Sequence, residues 1–170
     1  RSLEGGCGTG RFMKALGISQ GLEPDSAMRA AALRRGCSVV DGVAEKLPFE
    51  SGDYSSVLFI TTLCFVRDPV AALAEAWRVL GLDQTIIIGL IDAGSEPGAA
   101  RAEHLRQRYG GRLMTCSETK QLLVDAGFAD IASAQTIFRP IAEMNAVESP
   151  EPGCGRGMFA VLRGRKGAAK

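Results

Sequence analysis

Histidine is nearly missing from this sequence, where His104 stands alone among 170 residues. Cysteine occurs at positions 7, 37, 64, 116 and 154, but no two are spaced as Cys-x-x-Cys. A zinc framework is therefore excluded, no metal site is expected, and the odd cysteine count speaks against a disulfide scaffold. The expectation for all five cysteines is a small, buried side chain in a reducing compartment. The net charge is only +1, so no whole-molecule field draws the chain to nucleic acid or anionic lipid. Aromatic residues make up 6%, and no basic stripe interleaves with them as a nucleic-acid surface requires. No apolar run approaches the roughly 20 residues that span a bilayer, and no secretory signal is visible. A cytoplasmic location without membrane or nucleic-acid partners is expected.

What is present suits a packed core. Hydrophobic residues make up 46% and charged residues 23%, and the length fits one domain over residues 1–170. Helical and strand patterns alternate. Short strands are expected at Ile18–Leu22 and Ser38–Val40, and a doubly buried one at Val57–Ile60. Thr85–Ile91 is the strongest strand pattern. Helices are expected at Arg11–Leu16 and Ser26–Arg35. Another follows Asp68-Pro69, with Val70, Leu73, Ala74, Trp77 and Leu80 on its apolar stripe and Gly81 as its stop. Two more are expected at Ala99–Tyr109 and Ser117–Ala126. Ala134–Arg139 and Met158–Arg163 read as strands with no helix between them, hence an antiparallel pair. The fold class is α/β: a Rossmann-like, mostly parallel sheet flanked by helices, with a C-terminal antiparallel strand pair. Ligands of such sheets bind beyond the carboxyl ends of the strands.

The first of those ends carries Gly6-Cys7-Gly8-Thr9-Gly10 behind Glu4. A dinucleotide turn needs Gly-x-Gly-x-x-Gly with an acid about 20 residues on. Counting from Gly6 and Gly8, the third glycine position is Arg11, and the next strand-end acid, Glu23, lies only 13 residues after Gly10. A nicotinamide dehydrogenase is disfavoured on that spacing. Glu4 also suits a cationic ligand better than a pyrophosphate, and S-adenosylmethionine carries a sulfonium and an ammonium but no phosphate. Taken alone, each acid has a plain alternative: Glu4 as a solvated strand end, Glu23 as a helix cap, Glu45 as a surface residue.

Leu3-Glu4-Gly5-Gly6-Cys7-Gly8-Thr9-Gly10-Arg11-Phe12 resembles motif I of the class I S-adenosylmethionine-dependent methyltransferases, the type 11 group in particular. Gly21-Leu22-Glu23-Pro24, Gly42 to Phe49, Val66-Arg67-Asp68-Pro69 and Ala74 to Leu80 resemble later segments of the same family, in order and at its spacing. The resemblance implies that Glu4 binds the methionyl ammonium. Gly6, Cys7, Gly8 and Gly10 would form the turn against the cofactor. Glu23, followed by Pro24, would accept both ribose hydroxyls. Ala44 and Glu45 would meet the adenine, and Thr61 the methionyl portion.

Several positions depart from the family pattern. Gly5 replaces a Val or Ile and is expected to weaken the first strand. Ser55 replaces an acid, and Gly81-Leu82-Asp83-Gln84 replaces a Lys-Pro-Gly-Gly-like turn. The chain is expected to begin at the family's first strand, N-terminally truncated by the segment that helps cover the cofactor.

Methyl transfer is an in-line displacement in which orientation contributes on the order of 7–11 kcal/mol. A dedicated base is thus optional, as suits a chain with one histidine. Acceptor-side candidates are Thr62 and Cys64 after the fourth strand, and Asp92 after the fifth, the last as a catalytic proton acceptor or an anchor for a cation. The loop with Glu148, Glu151 and Cys154 is expected to wall the pocket. His104, with Arg101, Arg106 and Arg108, is expected on a solvated helix face. Nucleic-acid amino methyltransferases carry Asn- or Asp-Pro-Pro-Tyr where this chain has Thr61-Thr62-Leu63-Cys64. A small-molecule acceptor is therefore favoured, and Thr61 to Val66 resembles a small branch of the family assigned to small amines. The alternative is a cofactor-binding or scaffold domain without turnover.

Overall fold

The chain runs β1 (Ser2–Gly5), α1 (Arg11–Leu16), β2 (Gln20–Leu22), α2 (Ser26–Arg34), β3 (Val39–Val40), β4 (Tyr54–Ile60), α3 (Pro69–Val79), β5 (Leu80–Ile91), α4 (Glu96–Tyr109), α5 (Cys116–Asp125), β6 (Phe128–Thr136), β7 (Glu151–Pro152) and β8 (Phe159–Lys166). The computed structural model describes residues 1–167. The side chains of Glu103, His104, Leu105, Arg108 and Tyr109 lie outside the described residues, and so does the surface expectation for His104 and Arg108. The strands form one sheet in the order β3-β2-β1-β4-β5-β8-β6-β7. The first five are mutually parallel, and β8 runs antiparallel between β5 and β6. The order reverses between β1 and β4, which opens a crevice at their carboxyl ends.

Helix starts follow their caps. The Asp68 side chain accepts from Val70 and Ala71 N–H ahead of Pro69, and Asp25 accepts from Met28. Thr115 and Glu118 form a reciprocal capping box at α5. Ser95 caps α4 with Pro97 in its first turn, so this helix starts three residues ahead of the expected Ala99. The buried face of α3 is Ala72, Leu73, Ala76 and Val79. It is rotated from the expected stripe, leaving Val70 61% exposed, because the two alanines allow close approach to the sheet.

Gly81 does not end in a turn. Leu80 already pairs with Tyr54, and β5 continues through an irregularity with Asp83 at φ 59°. The late strand pair is antiparallel as expected, but β6 starts directly after α5 and pairs from Phe128 to Thr136. Its edge is covered by the two-residue β7, and one 3-10 turn, Ile141–Glu143, interrupts the loop before it. Lys166, ending β8, donates to the carbonyls of Trp77 and Leu80 at 2.7 and 2.5 Å. It thereby ties the last strand to the end of α3, where a cation also meets the helix dipole.

Two sequence expectations are corrected. Cys116 and Cys154 are joined as a disulfide across 38 positions, so only Cys7, Cys37 and Cys64 are free thiols. Tertiary placement of the α5 start against the β7–β8 loop makes this pair, which no local spacing announces. Gly5 does not leave a gap: a Cβ there would lie 2.2 Å from the ring of Phe59 on β4, and Phe59 is fully buried. The ring fills the volume a Val side chain would occupy. Gly5→Val is accordingly expected to destabilise the fold by about 1–3 kcal/mol through overpacking. Urea denaturation of that variant, alone and with Phe59→Leu, checks this; the double variant should recover part of the loss, and an unchanged midpoint for Gly5→Val would refute it.

Candidate cofactor and acceptor site

The turn after β1 is shaped by three glycines in the left-handed region, Gly6, Gly8 and Gly10 at φ 65°, 55° and 74°. Side chains are strained there. A Cβ on Gly6 would come within 2.3 Å of Thr62, and one on Gly10 within 2.7 Å of Cys37. Gly8 is different: its nearest neighbour in that direction is the Met28 sulfur at 4.0 Å, so its outer face is open. Gly6 and Gly8 line a cleft of about 1080 Å³ at the carboxyl edge of the sheet.

Glu23 is buried at the end of β2 and braces this turn. Its Oε2 accepts from Gly8 N–H at 2.7 Å, and its Oε1 from Asp25 N–H at 2.9 Å. Arg29 reaches back from α2 to the carbonyls of Glu23 and Pro24 and pairs with Asp41 at 3.0 Å. Across the cleft, Ala44 and Glu45 line the opposite wall, and Glu45 accepts from Arg67 N–H at 2.7 Å. That loop is pinned by α3. The Arg78 guanidinium grips Glu75 with two hydrogen bonds, at 2.6 and 2.9 Å, and donates to the carbonyls of Phe49 and Leu47. Glu75 in turn accepts from Leu47 N–H. The Arg78 hydrogen bonds hold the Glu75 carboxyl below its ordinary range. The i,i+3 spacing of Glu75 and Arg78 was a visible signal for the pair, though not for the loop they hold.

Glu4, Cys7 and Gly10 are not on the cleft wall. Cys7 is buried and its N–H is committed to Leu22 O. Burial first, then the charges of Glu4 and Glu23, push its thiol up to about 12. Glu4 is 1% exposed, and its Oε2 has no hydrogen-bond partner among the described residues. Burial pushes its carboxyl up to about 7, with the Met13 N–H acting the other way.

Thr61 and Thr62 stand between this cleft and a second cavity of about 300 Å³. Thr61 holds φ 53°, a conformation that is an outlier for a β-branched residue. Its N–H donates to Gly89 O on β5, which keeps the turn directly beside the cleft. Cys64, whose thiol burial pushes up to about 11, lines the second cavity with Leu113 and Met114. These last two residues went unnoticed in the sequence, where they follow Gly110-Gly111 without periodicity.

Asp92 lines neither cavity. It is fully buried, and its carboxylate accepts from the N–H groups of Gly94 and Cys116 at 2.9 Å and of Gly155 at 3.0 Å. The expected pocket wall at Glu148, Glu151 and Cys154 is not formed either. Glu148 accepts from Phe138 N–H and pairs with Arg139, Glu151 pairs with Arg156, and Cys154 is bonded to Cys116.

A family described as a methyltransferase domain matches residues 3–88. This chain belongs to that methyltransferase domain family. A similar solved structure is an S-adenosylmethionine-dependent methyltransferase from Thermotoga maritima, described as a possible histamine N-methyltransferase. It is 37% identical with a TM-score of 0.93, over 98% of this chain and 81% of that one. The uncharacterized protein MJ1123 of Methanocaldococcus jannaschii is 34% identical over 98% of this chain and 82% of its own length. The uncharacterized protein Rv2003c of Mycobacterium tuberculosis is 39% identical over 81% of this chain. The match spans about half of that relative, 50% of its length.

The cofactor of this methyltransferase domain is S-adenosylmethionine, and the residues fit it. Glu4 lies behind the turn and off the cleft wall, so the fit rests on the turn and the cleft lining rather than on its buried carboxyl. The open backbone at Gly8 admits a ligand against the turn. The cleft wall offers carboxylates at Glu23 and Glu45, and Arg67 is the one basic residue among its described lining, a balance that suits a cation better than an anion.

Proposed function

We propose that this domain transfers a methyl group from S-adenosylmethionine to a small-molecule acceptor, with Glu4, the Gly6–Gly10 turn, Glu23, Ala44, Glu45 and Thr61 serving the cofactor. The observation that carries the reading is the shared wall: Thr61 and Thr62 face both the large cleft and the smaller apolar cavity. When bound, the cofactor supplies an electrophilic methyl on a sulfonium. The chain's own task is to hold two ligands in contact with one another along that shared edge and exclude water between them. Glu23 fixes the turn and retains lone pairs for ribose hydroxyls. Thr62 donates its hydroxyl to Gly5 O at 3.0 Å, locking the wall to β1.

Asp92 is assigned a positioning role rather than the catalytic one expected, because its carboxylate accepts from three N–H groups and lines neither of the two cavities. Burial pushes the thiols of Cys7 and Cys64 up, which disfavours a thiolate at either position. The absence of a Pro-Pro-Tyr segment after β4 favours a small molecule over a nucleobase.

Calorimetric titration with S-adenosylmethionine, followed by transfer of a labelled methyl to a panel of phenols, thiols and amines, tests the reading. Micromolar binding with transfer to a panel member is expected. Binding without transfer to any of them favours a domain that has lost turnover, and failure to bind the cofactor removes both readings.

A further inference from the structure

We infer that the methyl acceptor of this domain is an uncharged, largely apolar molecule carrying one proton-donating group, and not a cationic amine or an organic anion. This rests on the proposed methyltransferase reading and concerns the smaller cavity alone. That cavity takes its walls from Leu63, Leu90, Ile91, Leu113 and Met114, and it shares Met28, Thr61, Thr62 and Phe65 with the cofactor cleft. No ionisable carboxylate, lysine or arginine lines it among the described residues.

Its three polar side chains are already committed. Thr61 donates to Ile60 O at 2.8 Å, Thr62 to Gly5 O at 3.0 Å, and Cys64 Sγ to Thr61 O at 3.4 Å. Each hydrogen is spent on a main-chain carbonyl, so the wall offers oxygen lone pairs and no free side-chain donor. An ammonium there would meet no counter-charge among the described lining, and a carboxylate would meet no cation and no free side-chain donor. A neutral O–H, S–H or N–H can donate to a threonine oxygen while its carbon body fills the apolar walls. The volume of about 300 Å³ is about ten times the share of one liquid water, roughly 30 Å³, which suits a ligand of about ten non-hydrogen atoms.

The Asp92 carboxylate, the nearest acid in sequence to this wall, is turned into the loop network described above. A cationic acceptor anchored on Asp92 would have to displace the N–H groups of Gly94, Cys116 and Gly155.

A matched series tests this on the intact chain saturated with S-adenosylhomocysteine: 4-ethylphenol as the neutral probe, tyramine as the cation and 4-hydroxyphenylacetate as the anion. Their Kd values are measured by calorimetry or ligand-observed NMR. The neutral phenol is expected to bind at least tenfold tighter than either charged analogue. In Leu113→Glu the order should invert towards tyramine, while Leu113→Gln keeps the neutral preference. If tyramine binds the unmodified chain as tightly as 4-ethylphenol, or if no member of the series binds although S-adenosylhomocysteine does, the inference is overturned and the methyltransferase reading stands. If S-adenosylhomocysteine itself fails to bind, the methyltransferase reading falls, and this inference with it. The unmodified chain decides the question even if Leu113→Glu fails to fold.

Discussion

Glu23→Ala is expected to weaken S-adenosylmethionine binding at least a hundredfold. Two losses combine. The first is the charge-assisted hydrogen bonding the carboxylate would give to ribose hydroxyls, each bond contributing about 1.5–3 kcal/mol. The second is internal: Gly8 N–H and Asp25 N–H lose their common acceptor, and the turn loses the brace that fixes its open face. At about 1.4 kcal/mol per tenfold, even the low end of two such bonds reaches a hundredfold. Glu23→Gln keeps an acceptor for one N–H and should fall between the two. Calorimetry on the three proteins, with circular dichroism to confirm folding, measures the effect. A Kd within threefold of the unmodified protein would place the ribose elsewhere.

Glu4 should make the stability of the cofactor-free protein fall as pH rises. Its carboxyl is raised from 4.5 to about 7, chiefly by burial, so between those values the folded state holds a proton that the unfolded chain has released. Stability therefore drops with rising pH across this window. The contribution is fully present below pH 4.5 and is lost as pH climbs through 7. At about 1.4 kcal/mol per pKa unit, the full cost is on the order of 3 kcal/mol. Glu4→Gln has no charge to bury, so its stability relative to the unmodified protein should grow between pH 5 and pH 8 by up to that amount, read from urea midpoints. A difference that stays constant over that range would dispose of the idea. Binding of a cationic cofactor should reverse the cost by favouring the ionised form. Near pH 6, calorimetry in two buffers of different ionisation enthalpy should then show release of approaching one proton per cofactor bound.

Part of the lining of the larger cleft was legible because its placement is local. The Gly6–Gly10 turn, Glu23 at a strand end and the Ala44-Glu45 loop each follow a strand that short apolar runs announce. The fold class followed from the same alternation and from the absence of a helix between the last two strands. What stayed hidden was set by contacts far apart in the chain. Gly5 looked like a defect until Phe59, 54 residues later, filled its space. Asp92 looked catalytic because it follows the strongest strand; its neighbours Cys116 and Gly155 come from the start of α5 and from the β7–β8 loop, whose course the sequence does not reveal. The cysteine count could not expose Cys116–Cys154, since a disulfide depends on where two loops meet. Thr61 lines the cleft at the end of β4, but its positive φ has no sequence signature in a β-branched residue.

The anchoring of Cys116, Gly94 and Gly155 on one carboxylate divides the molecule by purpose. Leu113 and Met114 hang from that anchor, in a stretch that contributes nothing to the cleft framed by Glu23 and Glu45. On the proposed reading, exchanging side chains along this stretch is expected to change what the smaller cavity admits while leaving the larger cleft intact. Variation among such domains should concentrate there, and libraries built on positions 111–114 are the economical way to retarget this one.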